Sequence, residues 1–211
     1  LRGTDLAATL QAKQRFFEFD RRASADQVAA ALSRGARVQD KDEAGLTPLM
    51  RASERNPDPG VITALVNAGV DLLTLETFSN LAEMTEAVRA ARQAAPNMPL
   101  VAQMTFTQDG VTMSGDTPAD VVAALEPLGV DIIGANCSVG SSPMLGVMEA
   151  MAEVTSKPFS AQPNAGFPTI VDGRFMYLSS PQYMAEYAQR MIETGVTLVG
   201  GCCGTTPEHI R

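Results

Sequence analysis

The chain has 211 residues, 45% of them hydrophobic and 19% charged, and a net charge of −8; this suits a soluble globular protein and gives a nucleic-acid surface no electrostatic support. No apolar run reaches the roughly 18 residues of a membrane span, and the opening LRGTDLAATLQAKQRFF lacks the basic-then-apolar layout of a secretion signal. Three cysteines, two of them adjacent, make a poor disulfide framework and a workable thiolate set, which points to a reducing cytoplasm.

Composition splits the chain in two. Residues 1–71 carry ten basic and ten acidic residues and no cysteine, whereas residues 72–211 carry six basic and fourteen acidic residues, ten of the eleven methionines and all three cysteines. In the first part Phe16, Phe17 and Phe19 suit a helix covering one end. Val28, Ala31 and Leu32 then recur as Val61, Ala64 and Leu65, a spacing of 33. Between them DEAGLTPLMRA (42–52) can start a helix at Thr47-Pro48 after a turn at Gly45. The pattern D-x-x-G-x-T-P-L with a 33-residue period resembles the ankyrin repeat. The match covers about one and a half repeats, fewer than the roughly three a solenoid needs. Residues 1–69 are therefore expected to form a small ankyrin-like helical segment, either a protein-binding module or a layer packed on its neighbour.

From residue 70 the pattern changes. VDLLTLETF (70–78), PLVAQMTF (99–106), VDIIGANCS (130–138), PFSAQPNAG (158–166) and VTLVGGCCG (196–204) read as buried strands, with amphipathic stretches between them. Strand–helix–strand repetition implies right-handed crossovers and a parallel sheet. Glu76, Thr105, Asn136, Cys137, Asn164, Cys202 and Cys203 all fall at C-terminal strand ends, the face where barrel enzymes do their chemistry. No G-x-G-x-x-G turn follows the first strand, so a barrel is favoured over a doubly wound sheet. The chain stops at Arg211, just after the helix-start signal Thr206-Pro207, and lacks an initiator Met, so it reads as cut from something longer.

Cys137 ends one strand and Cys202-Cys203 another. Three thiolates suit Zn²⁺ with a fourth position left for substrate. Neighbouring side chains on a strand point to opposite faces, and Gly200, Gly201 and Gly204 permit the twist that adjacent ligands require. Cysteines also serve as small buried hydrophobes, but two thiols in a glycine cage at a strand tip favour a metal.

NCS at 136–138, PNAG at 163–166, GGCCGTTPEH at 200–209 and LETFSN at 75–80 together resemble the homocysteine S-methyltransferase family, over about Gly69 to Arg211. The QPNAGFP…VDGR…MYLSSPQYMAEYA stretch resembles the methyltransferase domains of bifunctional homocysteine methyltransferase/methylenetetrahydrofolate reductase and of methionine synthase. The resemblance implies a (βα)₈ TIM barrel, Zn²⁺ on Cys137, Cys202 and Cys203, and homocysteine and a methyl donor as partners. It puts Glu76 near the substrate amino group, with Asn136 a second substrate contact. Methylcobalamin, S-methylmethionine, betaine and S-adenosylmethionine are all open as donors. His209, the one histidine, suits a helix first turn rather than a metal.

Only five strands are readable, and they correspond to the last five of such a barrel. The expected architecture is an incomplete barrel over 70–211, preceded by the ankyrin-like segment over 1–69. Open sheet edges invite self-association, and slow or absent turnover is expected. The competing reading is an ankyrin-type interaction module fused to a catalytically incomplete barrel fragment.

Overall fold

Ser24 and Gln27 explain where the first described helix begins. The Ser24 hydroxyl accepts from the Gln27 N–H, and the Gln27 side chain accepts from the Ser24 N–H at 2.9 Å, a reciprocal cap that opens α1 (Ala25–Ser33). This comes from a computed structural model that describes residues 24–37 and 59–211. Contacts divide the chain into two units, Leu1–Asp71 with Ala94–Pro96, and Leu72–Gln93 with Asn97–Arg211. In the first, α1 packs on α2 (Pro59–Asn67), burying Val28, Ala31 and Val66. The expected Phe16–Phe19 helix and the turn at 42–52 lie outside the described residues.

The second unit alternates strand and helix. In chain order it contains β1 (Leu73–Phe78), α3 (Leu81–Ala94), β2 (Leu100–Met104), α4 (Pro118–Leu125), β3 (Ile132–Asn136), α5 (Ser141–Ala152), β4 (Phe159–Gln162), β5 (Thr169–Val171), β6 (Arg174–Met176), α6 (Pro181–Thr194), β7 (Val196–Val199) and α7 (Pro207–Ile210). Thr117-Pro118, Ser180-Pro181 and Thr206-Pro207 each place a capping hydroxyl before a proline at the first helical position. Five strands form one parallel sheet in the order β1-β2-β3-β4-β7. All five expected strands are present, each shorter than its apolar run. The antiparallel hairpin β5–β6 was not expected, although Asp172-Gly173 is a strong hairpin signal; both residues have positive φ, 49° and 74°.

Register assigns the two faces different chemistry. One carries the rows Ala102-Ile133-Phe159-Val196 and Met104-Ala135-Ala161-Val199. Helix α5 lies against β3 and β4, and α6 against β7. Met84, Met144, Met148, Met151 and Met191 are buried here, using flexible thioethers to fill irregular gaps. Full burial of a side chain such as Ile133 contributes about 1.5–3 kcal/mol.

The other face carries Gln103, Gly134 and Ser160 in one row and Asn136 with Gln162 in the next. Strands stand about 4.8 Å apart, so β1 and β3 would be nearly 10 Å apart in a flat sheet. Yet the short Asn136 side chain bonds Thr77 of β1 at 2.8 Å, and Gln103 of β2 bonds Ser160 of β4 at 3.0 Å. Both bridges skip a strand. The sheet therefore curls toward its polar face, as the wall of a barrel does.

At the opposite end from the strand tips, Arg92 closes the base. It donates to the carbonyls of Met98 (2.6 Å) and Gly129, and to Asp131 at 2.7 Å. Asp131 also accepts from the Leu100 N–H at 2.8 Å, and this bond, with the Arg92 guanidinium, holds its carboxyl below the usual range.

Candidate metal centre

The three thiols converge because two strand tips turn in unusual ways. After β3, Cys137 and Ser138 both have left-handed backbones, φ 59° and 62°. The Val139 N–H reaches back to the Cys137 carbonyl at 2.7 Å, a tight turn of the strained positive-φ kind. The Cys137 N–H stays tied to β4 through the Gln162 carbonyl at 3.0 Å.

After β7, Cys202 to Thr205 form a β-turn closed by the Thr205 N–H on the Cys202 carbonyl at 3.2 Å. Its third residue, Gly204, has φ 78°, as a type II turn requires. This turn lets adjacent cysteines serve one site. A side chain at Gly204 would also meet the Tyr177 ring, since an added Cβ would stand 2.2 Å from its Cγ.

Cys137 Sγ and Cys203 Sγ are 3.6 Å apart, Cys202 Sγ and Cys203 Sγ 4.0 Å, and all three sulfurs lie within 4.8 Å of one another. A tetrahedral zinc with Zn–S near 2.3 Å needs sulfurs about 3.8 Å apart. The donor set fits such an ion in chemistry, and the two pairs that include Cys203 stand near that spacing. Burial foremost, then the Cys137 and Cys203 thiols beside it, pushes the Cys202 thiol up to about 12. Among these neighbours it does not ionise alone at neutral pH, and a cation inverts that balance. Cys137 and Cys202 are half-buried and Cys203 is exposed, which leaves one side of the trio open.

Glu76 is exposed at the tip of β1, at the same end of the sheet as the cysteines. Asn136 is fully buried, and both ends of its amide are engaged by Thr77: the Thr77 N–H donates to Oδ1 and Nδ2 donates to the Thr77 hydroxyl, each at 2.8 Å. Thr77 itself has φ 65°. Asn136 thus braces the residue next to Glu76. His209 is not among the clustered sulfurs; its ring accepts the Thr206 N–H at 3.1 Å and caps α7.

Tyr177, at the site, and Gln103, on the polar face of the sheet, were not singled out from sequence. Tyr177 sits beside Cys203, and burial, then the neighbouring thiol, raises its hydroxyl. Gln103 is wholly buried with its Oε1 unpartnered. The hairpin β5–β6 brings Tyr177 to the thiols, although it lies within the MYLSSPQYMAEYA stretch, and the curvature of the sheet brings Gln103 to Ser160.

The described residues thus form a parallel α/β sheet curled toward a polar face, with a three-thiol cluster at its strand tips that could hold a metal ion. The sequence profile described as homocysteine S-methyltransferase matches residues 7–211, and the chain belongs to that family. Methionine synthase of Mycobacterium leprae is 37% identical over 152 residues, which cover 70% of this chain and 13% of that protein. Methionine synthase of Mycobacterium tuberculosis is 36% identical over the same length. The chain thus spans only about an eighth of these relatives. The homocysteine methyltransferase MmuM of Escherichia coli is similar in fold. Its apo form has a TM-score of 0.59 at 21% identity, covering 95% of this chain and 72% of that one; its metallated form has a TM-score of 0.58 at 23% identity, covering 86% and 55%. No helix among the described residues is long and apolar enough to cross a membrane.

Proposed function

We propose that this chain holds Zn²⁺ on Cys137, Cys202 and Cys203 and takes part in methyl transfer to the thiolate of homocysteine, giving methionine. The observation that carries the reading is the meeting of three thiols from two strand tips at tetrahedral spacing. Bound zinc would lower the pKa of an incoming thiol so that it is a thiolate at neutral pH. The side of the trio where Cys203 is exposed leaves room for the substrate sulfur. Glu76 supplies a carboxylate for the substrate ammonium, and Asn136 fixes the β1 tip through Thr77, so its contribution to substrate binding passes through that clamp. The sulfur then attacks the donor methyl in line: a sulfur–carbon bond forms as the bond from that carbon to the donor breaks.

On this reading residues 70–211 are the last five strands of a (βα)₈ barrel, and residues 1–69 an ankyrin-like layer preceding them. The outer edges of β1 and β7, which pair with no strand among the described residues, are surfaces for self-association, and a reducing cytoplasm keeps the thiols free. The interaction-module alternative draws on the 33-residue repeat alone.

Metal analysis with X-ray absorption tests the proposal. The purified chain should hold about one zinc on three sulfurs, and homocysteine, but not methionine, should add a fourth. Glu76→Ala should weaken homocysteine binding more than zinc binding. Unchanged zinc content in the triple Cys→Ser variant would overturn the reading.

A further inference from the structure

Helix α5 starts at Ser141, shortly after β3, so its N-terminus stands at the strand-tip end of the sheet. Its first turn keeps its donors free. Gly140 precedes it and offers no side chain as a cap. Among the described residues no oxygen accepts from the N–H of Ser141 or of Ser142. The third helical residue is Pro143, which has no N–H, and Met144 bonds back to the Gly140 carbonyl at 3.2 Å. The Ser141 hydroxyl is 1% exposed and has no partner. Cα–Cβ bonds of a helix tilt toward its N-terminus, which aims this hydroxyl at the same end as the free N–H groups. A buried hydroxyl without a partner is costly, and a ligand that accepts from it removes the cost.

Helix α6 packs on α5 and brings a cation to this end. Ser142 is hydrogen-bonded to Tyr183 and Tyr187. The two rings lie 4.7 Å apart, and the Arg190 guanidinium stands 5.1 Å from the centre of the Tyr187 ring. No carboxylate pairs with Arg190 among the described residues. The Ser142 bond foremost, then that of Tyr183, holds the Tyr187 hydroxyl below its ordinary value, so these surroundings favour negative charge.

We propose that the N-terminus of α5 and the adjoining face of α6 form a binding site for a phosphate group, free or carried by a phosphomonoester, with the Ser141 and Ser142 N–H groups, the Ser141 hydroxyl and Arg190 as its donors. The site uses none of the three thiols and stands whether or not they hold zinc. The helix end contributes about half a positive charge and Arg190 a full one. A carboxylate presents two oxygens in one plane. Phosphate presents oxygens in several directions, which suits donors that arrive along the α5 axis and from the side of α6.

Titration calorimetry with inorganic phosphate tests the proposal, with a chelator present to keep metal from the thiols, and with folding checked by circular dichroism and thermal melting. Wild type should bind one phosphate per chain and melt at a higher temperature in its presence. Arg190→Gln should bind about 10-fold more weakly. Ser142→Asp puts a carboxylate among the free N–H groups, where it suits the helix end but repels phosphate, so binding should be lost without a lower melting temperature. Ser141→Ala should weaken phosphate binding about 3- to 10-fold, yet melt no lower than wild type in phosphate-free buffer. Arg190 is exposed, so Arg190→Gln carries the test if either serine variant does not fold. Adenosine monophosphate binding more tightly than inorganic phosphate would identify a phosphomonoester as the ligand, and equal or weaker binding the free ion. Absence of saturable phosphate binding below about 10 mM would overturn the inference. So would wild-type affinity in Arg190→Gln, or acetate binding as tightly as phosphate.

Discussion

Replacing Gly204 with alanine probes the turn that makes adjacent cysteines usable. Two costs follow from the geometry. The backbone at φ 78° places any Cβ against its own carbonyl, at roughly 1–2 kcal/mol. The new Cβ would also stand 2.2 Å from Cγ and 2.3 Å from Cβ of Tyr177, where carbon atoms prefer about 3.5–4.0 Å. Relieving that overlap moves either the ring or the turn, at about 1–3 kcal/mol. Together these come to about 2–5 kcal/mol, a large share of the roughly 5–15 kcal/mol that stabilises a domain. A double-mutant cycle separates them, because Tyr177→Gly removes both the ring and the Cβ and leaves only the backbone cost. Urea unfolding of the four proteins under reducing conditions should give a coupling of about 1–3 kcal/mol between the sites. Zinc affinity should fall in Gly204→Ala and recover in part in the double variant. A loss below about 1 kcal/mol would refute the turn assignment, and the same loss with and without the ring would refute the Tyr177 contact.

Two further outcomes are expected. The Cys202 thiol is raised from 9.0 to about 12, so its folded form holds the proton more tightly than the unfolded chain. The metal-free protein should therefore keep this contribution below about pH 9 and lose it as pH rises toward 12; Cys202→Ala should flatten the alkaline limb of a stability–pH curve. The Asp131 carboxyl lies below its ordinary 3.8, so its contribution is present above that value and is lost as pH falls through the depressed one. Asp131→Asn should flatten the acid limb, and Arg92→Ala should lower the melting temperature while leaving zinc affinity unchanged, as calorimetry and metal titration would show.

The parallel sheet was legible because apolar runs separated by amphipathic stretches leave few other arrangements. Cys137, Cys202 and Cys203 were legible because thiols at strand ends carry their chemistry in their identity. The bonds of Asn136 were not. An amide at a strand tip can face substrate or brace its neighbour, and the choice depends on curvature that brings β1 within reach of β3. Tyr177 escaped for a similar reason, since it follows a hairpin whose Asp172-Gly173 turn aims it at a loop 27 residues further on. The 33-residue repeat in the sequence of residues 1–69 raises a different difficulty. A spacing of 33 and a T-P-L turn suggest ankyrin, but they constrain only small residues at helix contacts, and the family match begins at residue 7.

The distribution of strain separates the two ends of the sheet. Thr77, Cys137 and Ser138 are three of the four non-glycine residues with positive φ among those described, and all three lie at strand tips. Such conformations cost about 1–3 kcal/mol each and persist only where neighbours over-determine them. Here the determining contacts are specific: Asn136 grips Thr77 from two strands away, while the Cys137 turn hangs from Gln162 and is linked to Asn164 through Val139. At the base, Arg92 and Asp131 join the starts of β2 and β3 through several bonds each. A rigid base under strained tips places bonded tethers around the thiols, so their spacing is set by contacts outside the sulfur atoms themselves. Mutations that loosen these tethers should therefore disturb the metal before they unfold the sheet, whereas mutations at the base should do the reverse.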